Sequence, residues 1–124
     1  MRDFRSLNVW KKAHKLTLGV YQATRSFPRE ELYGLAGQLQ RAVSSIPVNI
    51  AEGCGCQRNR EFAYFLRVAL RSASEAEYHL LLARDLGYLD NGTHDQLNDQ
   101  VVEIKRMLTG LIEKLNTDEA SSKA

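Results

Sequence analysis

The stretch Asn59–Gly87, NREFAYFLRVALRSASEAEYHLLLARDLG, decides how the chain folds. Phe62, Leu66, Ala69, Ala73, Ala76, Leu80, Ala83 and Gly87 recur at steps of three and four, the spacing of one helix face. Asn59 stands before the run where an N-cap is expected. No proline interrupts it, so the stretch predicts one unbroken helix roughly 40 Å long, at ~1.5 Å per residue. Most of a helix's stability in a protein comes from packing its apolar face, so this seam lies against neighbours.

The neighbours are legible on either side. Val9, Ala13, Leu16, Val20, Ala23 and Phe27 form a first stripe, which Phe27-Pro28 closes because the residue before proline is pushed out of the helical region. Leu32, Leu35, Leu39, Ala42, Ile46 and Ile50 form a second. Pro47 lies inside it and removes the bond to the Val43 carbonyl, which predicts a kink, with Ser44 and Ser45 near enough to satisfy the freed oxygen. Gly53-Cys54-Gly55 is expected to break that helix. Asp90-Asn91-Gly92 reads as a turn, and Thr93 with Gln96 as the capping box of a last helix carrying Leu97, Val101, Ile104, Leu108, Leu111 and Leu115. Four apolar seams joined by short links specify an all-α fold, an antiparallel up-down four-helix bundle over residues 1–116, with 117–124 as a flexible C-terminal tail.

Composition agrees and narrows the function classes. At 124 residues the chain is one domain, large enough to bury a core without disulfide or metal. It has no apolar run long enough to span a bilayer, and Met1–Ser6 lacks the apolar centre of a signal peptide, so no membrane role and a cytoplasmic location are expected. Charge is asymmetric. Of the 17 Lys and Arg, 12 lie in residues 1–72, against 5 of the 15 Asp and Glu. A basic half and an acidic half suit either a nucleic-acid surface or opposed faces that meet in an assembly.

Little in the sequence supports catalysis. Di-iron bundles need Glu-x-x-His, which is absent; Glu75 and His79, four apart, are a hydrogen-bonding pair without further ligands. Cys54 and Cys56 are too close for the usual zinc pair and have no second pair. His14 and His94 read as surface residues. No metal, no cofactor and no catalytic residue is expected, and the protein is read as a non-enzyme.

One outward stripe does carry chemistry. Arg60, Tyr64, Arg67, Arg71, Ser74 and Tyr78 lie opposite the seam of the third helix, and Arg58 extends them. Guanidinium forks hold phosphates and tyrosine rings stack on bases, the combination that single-stranded RNA binding needs. Lys11, Lys12 and Lys15 on the first helix add charge. Arg and Tyr are equally enriched at protein interfaces, so a protein partner competes with RNA. Val68, Leu82 and Leu86 on one flank, with Ala63, Leu70 and Leu81 on the other, leave the third helix apolar well beyond its seam, which predicts self-association.

The string Phe27-Pro28, Glu31, Tyr33-Gly34-Leu35, Gln38-Leu39-Gln40-Arg41-Ala42, Ser45-Ile46-Pro47, Asn49-Ile50-Ala51-Glu52-Gly53 resembles the small proteins encoded in intervening sequences of bacterial 23S rRNA genes. Glu61-Phe62, Phe65-Leu66, Ala69, Ser72, Glu75, Glu77 and Leu86-Gly87-Tyr88 continue the similarity, which runs from Phe4 to about Leu115. The resemblance implies a homopentameric ring of helical bundles with a nucleic-acid role. It also implies kinship with the accessory proteins of diversity-generating retroelements, which bind a reverse transcriptase and its RNA. Two positions depart from the pattern: Cys56 stands where relatives often carry a basic residue, and Arg71 where they often carry glycine. The expected partners are thus a second copy of the chain and RNA, with a reverse transcriptase as the alternative.

Overall fold

The computed structural model describes residues 2–123, with side chains through 118. Among the described residues there are four α-helices, α1 (Asn8–Thr24), α2 (Leu35–Cys54), α3 (Asn59–Asp85) and α4 (Asn91–Lys123), and no strand. Single 3-10 turns at Phe4–Ser6 and Arg29–Glu31 precede α1 and α2. α1 packs on α2 and α4, and α3 packs on the same two, so α1 and α3 occupy opposite corners of an antiparallel bundle.

The seams define the core. Leu16 and Val20 of α1, Leu39, Val43, Ile46 and Ile50 of α2, Phe62, Leu66 and Leu80 of α3, and Val101, Ile104 and Leu108 of α4 are almost wholly buried. Between its large residues α3 places Ala69, Ala73, Ala76 and Ala83, all fully buried. Small residues on that face let α2 and α4 approach closely from either side. On α4, Ile112 rather than Leu111 completes the seam; Leu111 is half-buried.

Several boundaries differ from those the sequence suggested, each for a local reason. α1 stops at Thr24, whose hydroxyl donates to the Val20 carbonyl, and Phe27 N–H turns back to the Thr24 carbonyl. Leu32 is exposed and lies outside α2, which starts at Leu35 because the Glu31 carboxylate accepts the Leu35 N–H at 3.0 Å. The other Glu31 oxygen accepts the Tyr88 hydroxyl at 3.0 Å, and that bond holds the Tyr88 phenol above its ordinary pKa. One carboxylate therefore fastens the α1–α2 link to the α3–α4 link.

Gly87 is not part of the α3 seam. It sits just past the helix at φ 81°, donating to the Arg84 carbonyl while Tyr88 donates to Ala83, a Schellman end that needs a residue tolerant of positive φ. Asn59 is the first residue of α3, with Arg58 at the cap position. α4 begins three residues earlier than the Thr93–Gln96 box implied: the Asp90 carboxylate accepts the Thr93 N–H at 2.6 Å, making Asp90 the cap. That shift carries His94 into the core edge, where it is buried against Asp95 at 3.1 Å, so His94 is not a surface residue. The backbone of 117–123, expected as a tail, continues α4.

Pro47 lies within a continuous α2. The carbonyl it frees, that of Val43, lies 3.2 Å from the Thr17 hydroxyl of α1, which shares its proton with the Ala13 carbonyl. Ser44 and Ser45 do not serve it. Ser44 bonds the Arg41 carbonyl, and Ser45 pairs with Ser72 of α3 at 2.9 Å and accepts from Asn49. α2 does end within Gly53-Cys54-Gly55, with Cys54 its last residue and Gly55 the cap, while Gly53 still lies inside the helix. A Cβ there would lie 2.7 Å from Phe62 Cδ1 and 3.1 Å from Phe65 Cβ, so the glycine lets the last turn of α2 touch the first turns of α3.

Two glycines inside helices should respond oppositely to the same change. Gly53→Ala improves helix propensity but drives a methyl into Phe62, and should lose ~1 to 3 kcal/mol of stability. At Gly110 an added Cβ meets nothing within 4 Å. Gly110→Ala should therefore gain about 0.5 to 1 kcal/mol. Urea unfolding of the two variants checks the signs. Asp90 supplies a pH test: the Thr93 N–H bonds its ionised form and holds its pKa below the ordinary carboxylate value. Its contribution is complete above about pH 4 and disappears as pH falls through the depressed value. The stability difference between the native chain and Asp90→Ala should thus be flat from neutrality to about pH 4 and shrink below it.

Candidate nucleic-acid interface

The side of α3 away from the core carries Arg60, Tyr64, Arg67, Arg71, Ser74 and Tyr78, and all six are exposed. Tyr64 stands 55% exposed, its ring edge-on to Phe65 at 5.3 Å, which fixes one side of the ring and leaves a face to solvent. Arg60, Arg67 and Arg71 enter no ion pair among the described residues. Arg58 meets Glu61 at 3.9 Å, a long and solvated pair that leaves its charge available. The stripe is a line of cations with two exposed tyrosines, Tyr64 and Tyr78, and its only ion pair among the described residues is the one at its start.

The lysines do not join that line. Lys11, Lys12 and Lys15 are exposed on α1, at the opposite corner of the bundle. Lys12 is neutralised by Glu103 of α4 at 2.7 Å, and Lys15 borders the α1–α4 groove with Gln96 and Gln100. The structure therefore separates the candidate residues into an arginine–tyrosine face on α3 and a lysine cluster on α1.

A residue the sequence did not single out links the N-terminal segment to the arginine face. Arg2 donates to Asn59 Oδ1 at 3.1 Å, its guanidinium lies 4.6 Å from the Phe62 ring centre, and its N–H bonds the Cys54 carbonyl. Arg5 lies against the Phe4 ring nearby. The contact spans 57 residues, so no local spacing could have shown it. At this end of the bundle, where α2 meets α3, Arg5 is paired with Asp3 at 3.5 Å and Arg58 with Glu61, while Arg2 and Arg60 enter no ion pair among the described residues.

Glu75 and His79 do form the expected hydrogen bond, at 3.1 Å. Among the described residues no group of three or more His, Cys, Asp or Glu side chains is placed to hold a metal ion. Cys54 and Cys56 are free thiols, the first buried and the second half-buried. His14 is exposed and stacks on Trp10, with ring centres 5.0 Å apart. No helix among the described residues is long and apolar enough to cross a membrane.

An all-α bundle with a basic, aromatic outer face is the class these observations define. The chain belongs to the family described as 23S rRNA-intervening sequence protein, whose profile matches residues 5–110. It is similar in structure to a protein of unknown function from the S23 ribosomal protein family of Bacteroides thetaiotaomicron. That similarity has a TM-score of 0.78 and 25% identity, and covers 84% of this chain and 97% of the other. No curated protein matches the chain.

The two thiols should differ in reactivity. Burial pushes the Cys54 thiol above its ordinary pKa, outweighing the opposing pull of Arg2, so it remains protonated and covered at neutral pH. A disulfide reagent at pH 7.5 should titrate Cys56 quickly and Cys54 only as the protein unfolds. Two equally fast thiols would contradict the buried placement.

Proposed function

We propose that the protein is a non-enzymatic, self-associating helical bundle that binds RNA through the outer face of α3. The observation that carries the reading is the line Arg60, Tyr64, Arg67, Arg71, whose arginines are exposed and free of ion pairs among the described residues while an aromatic face stands between them. Phosphate neutralisation supplies affinity without sequence preference, and stacking adds a contact to any base. Assembly into a ring of five, the expectation from the family resemblance, would present five copies of this face and multiply a weak contact into useful avidity.

A second reading, an adaptor that docks a protein such as a reverse transcriptase, draws on the other half of the same helix. Tyr78, Leu81 and Leu86 are exposed there, an apolar surface better suited to a protein than to phosphate.

The readings separate on two variants. In the RNA reading, Arg67→Ala weakens binding to many single-stranded sequences alike and makes the log–log salt dependence shallower by about 0.7. Tyr64→Ala costs roughly 1 to 3 kcal/mol of binding with the slope unchanged, because stacking releases no ions. Light scattering of both variants should still give a mass several times 14.1 kDa. Intact assemblies that bind no RNA at low salt would overturn the RNA reading; a change of assembly mass in both variants would favour the interface.

A further inference from the structure

At the end of the bundle opposite Arg58 and Arg60, where α1 hands over to α2, lies a cleft of about 430 Å³. Its size falls in the range of small-ligand sites. Its walls are unlike those of the other grooves. Tyr21, 44% exposed, lines it together with the buried apolar residues Phe27 and Ala36. Arg25 and Arg29 stand at the mouth, and neither enters an ion pair among the described residues.

The inner edge is polar. Gln40 Nε2 donates to Thr24 Oγ1 at 3.0 Å, and the Thr24 hydroxyl spends its own proton on the Val20 carbonyl at 2.9 Å. That relay orients the Gln40 amide and leaves Oε1 without a donor among the hydrogen bonds of the described side chains. The cleft thus offers the Gln40 amide, with Oε1 and one N–H to spare, inside, apolar surface in the middle and two cations outside. A complementary ligand carries a hydrogen-bond donor on a planar ring at one end and an anion at the other.

We propose that this cleft binds a 5′-phosphorylated nucleoside, with Tyr21 against the base, Gln40 Oε1 accepting from a base N–H, and Arg25 and Arg29 on the phosphate. Guanidinium pairs suit a phosphate because each can offer two parallel donors. An acidic peptide would satisfy the arginines but leave the ring face and Gln40 unused. The proposal does not rest on the α3 face, which lies elsewhere on the bundle. The ligand chemistry is shared by a free mononucleotide and by the 5′ end of an RNA strand.

The test is titration of the whole protein with adenosine 5′-monophosphate, followed by NMR at the Gln40 side-chain amide and the Tyr21 ring. The nucleotide should bind at least tenfold more tightly than adenosine or inorganic phosphate. A double variant, Arg25→Ala with Arg29→Ala, should lose at least tenfold; both residues are exposed, and Arg25→Lys with Arg29→Lys provides a milder second check. Arg67→Ala should leave the nucleotide affinity unchanged, which keeps this result separate from RNA binding on α3. Displacement of the nucleotide by a 5′-phosphorylated RNA trinucleotide, and not by its 5′-hydroxyl form, assigns the site to strand ends; failure of both to displace it assigns the site to free nucleotide. Equal affinity for adenosine and its monophosphate, binding unaffected by the double variant, or a tetraglutamate peptide binding as well as the nucleotide would overturn the proposal.

Discussion

The approach of Gly53 to Phe62 and Phe65 sets the geometry on which the rest of the bundle depends. A side chain at residue 53 would overlap the Phe62 ring, so the backbone of the last turn of α2 packs directly on the Phe62 and Phe65 side chains of α3. Only a close crossing lets the alanine-rich seam of α3 fill its contacts without voids, since small residues pack well only against near neighbours. The same contact brings the Cys54 carbonyl and the Phe62 ring together, and Arg2 bonds the first and covers the second. Packing at one crossing thereby places the N-terminal segment and sets Arg2 beside the start of α3.

Polar ties then select one arrangement of otherwise similar apolar seams. Thr17 to the Val43 carbonyl joins α1 to α2 at the point where Pro47 withholds a donor; Ser45 to Ser72 joins α2 to α3; Lys105 to Glu77, at 2.9 Å, joins α3 to α4. Each is a modest contribution alone: a neutral hydrogen bond such as the first two is on the order of 1 kcal/mol net, and a partly exposed ion pair such as Lys105–Glu77 adds a similar amount or less. Their value lies in register, because a helix shifted by one turn would leave the Val43 oxygen buried and unpaired. Glu31 does the same for the links, capping α2 with one oxygen and holding Tyr88 with the other. Glu31, Pro47, Ser45, Ser72 and Tyr88 all belong to the string that resembles the family, and these bonds give a structural reason for several of its members.

The family assignment and the surface speak to different questions. Membership in the 23S rRNA-intervening sequence proteins and the likeness to the Bacteroides protein establish the bundle. Function has to come from the outer faces, where the core imposes no residue type. There the arginines of α3 stand apart from the lysines of α1 at the diagonal corner, one of which Glu103 already neutralises. Positive charge counted along the first 72 residues is therefore several surfaces in the folded protein.

The sequence by itself determined the four helices, their seams and the outward stripe. Helical periodicity depends only on spacing, and every seam residue of α3 from Phe62 to Ala83 is buried as that spacing requires. Boundaries were less legible where competing caps lay within a turn of each other: Asp90 and Thr93 both suit the start of α4, and the bond actually made chose Asp90, burying His94 with it. Gly53 and Gly87 look alike in a string of letters, yet one allows a close crossing and the other a positive φ. Only the tertiary structure decided that Thr17, rather than Ser44 or Ser45, serves the carbonyl freed by Pro47. It alone put Arg2 beside Asn59 and set the lysines of α1 away from the arginines of α3. The physical reason is the same in each case: periodicity says which face a residue takes on its own helix, whereas hydrogen-bond partners and shared surfaces depend on which helices become neighbours.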